Sequence, residues 1–152
     1  MTTTAELIDQ ERRLQFARFT NDDAWRLGCV LVELARERQL PVTIDIRRGD
    51  QQLFHFAATG TCADNDAWIE RKIRVVRRYG ASSYLVGQRF REQGSSFEEK
   101  SRLDLDRYAA HGGAFPVVVT DVGLVGTVAV SGLPQVDDHK LVVEALERFL
   151  EG

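Results

Sequence analysis

The sequence has no CxxC pair. Its two cysteines, Cys29 and Cys62, stand 33 positions apart, a spacing that suits neither a zinc ribbon nor a thioredoxin-type site and leaves reduced thiols as the default. There is no GxxxxGK(S/T) loop and no GxGxxG turn, so nothing marks a cradle for ATP or NAD phosphates. Ser131, Asp138 and His139 are local neighbours without a nucleophile elbow, which gives a hydrolase no support. The three histidines, His55, His111 and His139, lack metal-motif spacing, and no metal site is expected. No apolar run approaches membrane-spanning length, and the opening MTTTAELIDQERRLQFARFT holds no apolar signal core; a cytoplasmic protein without a membrane partner is expected. Twenty basic residues against twenty-three acidic ones give a net charge of −3 and a pI near 5.6, a balance that disfavours nucleic acid.

What is present suits one folded unit. A chain of 152 residues falls within the roughly 100 to 200 residues of a typical domain. At that size folding buries roughly 68–70% of the unfolded surface, enough for a core without disulfide or metal staples. No repeat, low-complexity tract or linker interrupts it, so residues 1–152 read as a single domain.

A short helix runs from Thr4 to Gln10 or a little beyond, and Leu14, Phe16 and Phe19 suggest an extended stretch. Thr20-Asn21-Asp22-Asp23 resembles a capping box. It opens a helix whose stripe of Trp25, Leu27, Cys29, Leu31, Val32 and Leu34 continues until Pro41 forbids it, with Cys29 assigned to the core. Alternation at Val42, Ile44 and Ile46, a Gly49-Asp50 turn, and Leu53 to Ala57 spell a β-hairpin. Asp64 or Asn65 caps a second long helix ending at Tyr79, and Cys62, just before it, is a candidate reactive thiol at a helix start opposed by Asp64 and Asp66. Ser82 or Ser83 to Gln93 forms another helix, and Ser96 starts one expected to reach His111. Val117 to Val119 and Leu124 to Val130 make a second hairpin, and Pro134 opens the last helix. Two hairpins interleaved with helices exclude the alternating βαβ series of a parallel fold. The apolar run Val117 to Val119 points to a strand covered on both faces and thus to three layers.

Several residues invite a chemical reading beside a plainer one. His111 would close a helix, where imidazolium suits the carbonyl end of the dipole. His139 is either a ligand contact or a solvent-facing helix residue, and His55 either a hydrogen-bonded packing residue or a ligand contact. Gly112-Gly113 and Ser131-Gly132 allow close approach of backbone to a ligand, the latter pair beside free helix amides, or else meet turn requirements. Arg71, Lys72, Arg74, Arg77 and Arg78 either hold carboxylates and phosphates or form a solvated or subunit-interface face. Lys72, on the Trp68 side of its helix, needs a carboxylate if buried, with Asp45 as the candidate.

The stretches TNDDAW (20–25), LPVTIDI (40–46), LFHFAATGT (53–61), DNDAWIERK (64–72), YAAHGGAFPV (108–117) and VGTVAVSGLPQVDDHKLVVEAL (125–146) together resemble the GlcG/HbpS-like haem-degrading-domain superfamily, in the branch catalogued as an uncharacterised protein family. The resemblance implies a profilin-like α/β/α sandwich with a five-stranded antiparallel sheet, and assembly into homo-oligomers. It also implies haem or tetrapyrrole handling in relatives. No CxxCH motif occurs here, so any haem would be held non-covalently, with His55, His111 or His139 toward iron and Arg71 or Lys72 toward propionates. The leading expectation is an oligomeric binding domain for a small acidic ligand or haem-like cofactor, its pocket lined by His55, Trp68, Arg71, Lys72, His111, Gly112, Gly113, Ser131, Gly132 and His139. Its rivals are an adaptor homo-oligomer without a small ligand and an enzyme acting through His111.

Overall fold

The computed structural model describes residues 2–152. In chain order the elements are α1 (Thr4–Arg13), α2 (Asn21–Glu37), β1 (Thr43–Arg48), β2 (Gln51–Ala57), α3 (Ala63–Tyr79), α4 (Ser83–Glu92), α5 (Phe97–Lys100), β3 (Ala114–Val119), β4 (Gly123–Ser131) and α6 (Gln135–Glu151). Both expected hairpins form, and they join through β1 and β4 into one antiparallel sheet of order β2-β1-β4-β3.

The period-two alternation of β1 decides what covers each face. Ile44 and Ile46 point into the main core, with Leu27, Leu31 and Leu34 of α2 and Val142, Ala145 and Leu146 of α6. The opposite face is lined by small residues where α3 crosses: Ala114 and Ala129 pack against Ile69, Ile73 and Val76. Helices on both faces give the three layers expected. Local chemistry holds the elements in place. The Asp23 amide donates to Thr20 Oγ1 at 3.1 Å and the Thr20 amide to Asp23 Oδ2 at 2.8 Å, the reciprocal capping box read from sequence. Gly80, with φ 67, ends α3, a left-handed position that glycine takes without strain.

Four expectations are corrected. The sheet has four strands among the described residues, since the Leu14 to Phe19 stretch contributes only a parallel bridge between Phe16 and Val119. The Phe16 amide donates to Val118 O at 2.8 Å and the Thr120 amide to Phe16 O at 2.9 Å; one residue's pairing does not make a strand. The helix starting at Ser96 stops at Lys100, because Arg102 takes φ 61, a conformation no right-handed helix admits. His111 therefore lies in a loop. Cys29 is exposed, for Trp25, Cys29 and Val32 lie two positions from Leu27, Leu31 and Leu34, about 200° around a helix of 3.6 residues per turn. The two sets are opposite faces, and the leucines take the core.

Gly126 of β4 sits where β1 approaches most closely. A β-carbon there would strike the carbonyl oxygen and carbon of Arg47, which are backbone atoms fixed by the β1–β4 ladder. Gly126→Ala is expected to lose about 1–3 kcal/mol to overpacking, read as a lower urea midpoint with an unchanged slope.

Candidate functional site

The start of α3, the loop at His111, the end of β4 and the start of α6 enclose a cleft of about 260 Å³. Asp64, Asn65, Trp68, Lys72, His111, Ser131, Gly132, Leu133, Gln135 and Asp138 line it.

Its floor is a buried ion pair. Lys72 and Asp138 side chains are each 3% exposed, with Nζ 3.2 Å from Asp138 Oδ2. Nζ also donates to Val130 O at 3.1 Å, and Asp138 Oδ1 accepts from the Leu133 amide at 3.0 Å. The partner expected for Lys72, Asp45, is on the same side of the sheet but is occupied: Arg47 Nε donates to it at 2.8 Å and Gln52 Nε2 at 2.7 Å. Removing a charge from water disfavours it in both members of the pair. Burial pushes Asp138 up to about 6, against the pull of Lys72, and pushes Lys72 down, against the pull of Asp138. Gly113 makes room for the ammonium. It takes φ 136, and a β-carbon on it would lie 2.7 Å from Lys72 Nζ and collide with Val130 O.

One wall is aromatic. Trp68 and His111 pack at 5.1 Å between ring centroids, and the Arg71 guanidinium stands over the indole at 4.1 Å. Burial holds the His111 imidazole below its ordinary value, opposed by Glu98. The facing wall is polar: Ser131 brings a hydroxyl from the end of β4, and α6 begins with Pro134 as its N-cap, without a side-chain cap for the first amides. Gln135 Oε1 accepts from the Gly112 amide at 2.9 Å, tying the HGG turn to the start of α6.

Of the residues expected from sequence, Trp68, Lys72, His111, Ser131 and Gly132 line this cleft. Gly112 and Gly113 stand directly behind it, and Arg71 stands over Trp68. Two histidines do not join them. His55 pairs instead with Asp66 at 2.7 Å and lines a groove of about 600 Å³ between α2 and β2, with Trp25, Cys29, Leu53, Phe54 and Phe56. His139 is 2% exposed, not solvent-facing and not among the residues lining the cleft, and packs against Tyr84 and Phe115 at 5.0 and 6.0 Å. Among the described residues no cluster of three His, Cys, Asp or Glu side chains suits a metal ion. Sequence reasoning missed Asp64, Asn65, Leu133, Gln135 and Asp138 as lining residues. The signal for Gln135 and Asp138 lay in the PQVDD run (134–138), which places both on the first turn of a helix following a glycine.

The buried histidine sets a pH dependence. His139 Nε2 lies 2.9 Å from Gln10 Oε1 and so carries the proton, while Nδ1 has no partner. Burial pushes its pKa down to about 4. The unfolded chain thus binds more protons than the folded one between about pH 6.5 and 4, and this residue's contribution to stability is lost as pH falls through that window. Asp138, raised to about 6, acts with the opposite sign over nearly the same range and masks it. His139→Phe should unmask the Asp138 effect. Relative to the parent, the variant is expected to gain up to ~3 kcal/mol between pH 7 and pH 4, at about 1.4 kcal/mol per pKa unit, as measured by urea unfolding at both pH values.

Comparison with known proteins places this geometry in a family. Residues 19–147 match the family model described as haem degrading protein HbpS-like. A UPF0303 protein of Streptomyces coelicolor is 71% identical over 148 residues, covering 97% of this chain and 94% of its own. One from Psychromonas ingrahamii is 46% identical over 146 residues, covering 96% and 92%. Among solved structures, the Ybr137w protein superposes with a TM-score of 0.91 at 34% identity, over 99% of this chain and 89% of that one. The complex of PduOC with haem shares the fold, with a TM-score of 0.69 at 17% identity over 84% and 92% of the two chains. With its capped helices, antiparallel sheet and DNDAWIERK, HGGAFP and VSGLPQVDDH segments all accounted for, this chain belongs to the HbpS-like family, among its UPF0303 proteins.

Proposed function

We propose that the chain is a ligand-binding domain whose cleft receives a carboxylate. One observation carries this reading: a buried lysine, a serine hydroxyl and the uncapped start of α6 converge on one cleft walled by Trp68 and His111. Helix amides and an ammonium both favour negative charge. The carboxylates of Asp64 and Asp138 oppose it, but Asp138, with its pKa near 6, is easily neutralised. Two ligands share the required chemistry. A cleft of about 260 Å³ has room for a short oxo or hydroxy acid. Were haem the ligand, Lys72 and Arg71 would hold its propionates, Trp68 would offer an aromatic face and His111 an imidazole toward iron. Haem is supported by the family and by the haem complex of a fold neighbour.

Calorimetric titration with pyruvate and lactate, and haemin titration followed by Soret absorption, test this reading and separate the two sources. Saturable binding of either acid, weakened about tenfold or about 1.4 kcal/mol in Trp68→Ala, marks the short acid. A saturable Soret shift that His111→Ala abolishes marks haem. If no probe gives saturable binding, the proposal fails.

A second reading, homo-oligomeric assembly, has its own observation. Trp25 is 62% exposed and packs edge-on against Phe54 at 5.6 Å in the apolar groove beside β2, an edge strand with unpaired backbone groups. Edge strands next to exposed apolar surface invite pairing with another chain, and the same patch on a second copy would close a two-fold contact. Trp25→Glu is expected to lower the mass measured by analytical ultracentrifugation; a parent chain that is already a monomer overturns this reading, and an oligomer of unchanged mass assigns assembly to another surface.

A further inference from the structure

Lys72 is unusual among the cations of this chain. The sequence contains seventeen arginines and only three lysines, Lys72, Lys100 and Lys140. The other basic positions of α3, namely Arg71, Arg74, Arg77 and Arg78, are all arginine. A guanidinium keeps its proton in any protein environment, whereas a buried ammonium gives its proton up and becomes a nucleophile. The one basic side chain on the cleft floor is thus of the type able to react. Its Nζ spends two donors on Val130 O and Asp138, out of the three an ammonium carries, and it borders the cleft directly.

We propose that Lys72 is a carbonyl-reactive amine that forms an imine with a compact oxo acid seated in the cleft, the substrate's carboxylate resting at the start of α6 beside Ser131. This deepens the carboxylate-binding reading and rests on it. The step balances within the chain and its substrate. The Lys72 ammonium passes a proton to Asp138, 3.2 Å away, giving a neutral amine and a neutral carboxylic acid. The amine lone pair bonds to the carbonyl carbon as the C=O π bond breaks, and a proton moves from nitrogen to that oxygen. Asp138 then protonates the new hydroxyl, water leaves, and a protonated imine faces an ionised Asp138. Burial acts in the same direction, lowering Lys72 and raising Asp138, and so favours passage of the proton from one to the other.

The test is reductive trapping. The intact chain is incubated with pyruvate and sodium cyanoborohydride, and adducts are located by mass spectrometry of the protein and its peptides. The expected result is a reduced adduct on Lys72 in preference to Lys100 and Lys140, although both of those are exposed. Lactate, with the same carboxylate but no carbonyl, should suppress it. Lys72→Arg keeps a cation opposite Asp138 and should lose the adduct; if that variant does not fold, the distribution of label on the parent chain decides. Label confined to Lys100 and Lys140, or none while pyruvate binds in calorimetry, overturns the imine and leaves the binding reading standing. Absence of both label and pyruvate binding overturns the imine and the short-acid reading together, and the haemin titration then decides whether the cleft binds a carboxylate at all.

Discussion

The contact between Lys72 and Asp138 orders the part of the molecule where chemistry is concentrated. It joins α3 to α6 across the end of β4, with Val130 O as a third member and Gly113 closing over the ammonium. Breaking a buried pair by removing one partner leaves an uncompensated charge, at a cost of about 3–5 kcal/mol. The pair is therefore a weak source of net stability, although each ion depends on the other for its compensation. The positions around it follow from that. Leu133 donates its amide to the same carboxylate, which fixes the turn between β4 and α6 and hence where Ser131 and Gly132 present themselves.

The sheet is divided in character by its two helical layers. On the α2 and α6 side it packs into the main apolar core through Ile44, Ile46, Phe54, Phe115, Val117, Val128 and Val130. On the α3 side an aliphatic patch at Ile69, Ile73 and Val76 is bordered by Asp45, Arg47, Gln52 and Glu70 in one hydrogen-bonded group. Arg47 is the centre of that group, its proton held more firmly than usual by Glu70 and Asp45 despite burial. Asp45 is thereby satisfied without Lys72, and the lysine pairs with Asp138 of α6 instead. Glu70 and Lys72, two residues apart near the middle of α3, tie that helix to β1 through Arg47 and to α6 through Asp138.

Much of this was legible in the sequence, and the reasons for the rest are local. Caps and alternation are written in adjacent residues, so the Thr20–Asp23 box, both hairpins and the start of α6 at Pro134 were read correctly. The HGG and SGLP segments and the Trp68 to Lys72 face were expected to meet and do so. What failed depended on long-range packing. Nothing near Phe16 says that it pairs with a single residue a hundred positions away. His139 was ambiguous because its partners, Gln10, Tyr84 and Phe115, come from three separate elements. The Trp25 and Leu27 sets were merged although helical geometry alone separates them, and this was a misreading of information that was present.

The bond from Gly112 to Gln135 has a thermodynamic consequence. Loops usually pay an entropic cost when a ligand orders them, and that cost is taken from affinity. Here the turn carrying His111 is already fastened to the helix that forms the opposite wall, so both sides of the cleft move as one piece. A guest need not bring them together, and even a molecule of few atoms, with little contact energy of its own, retains most of that energy as binding.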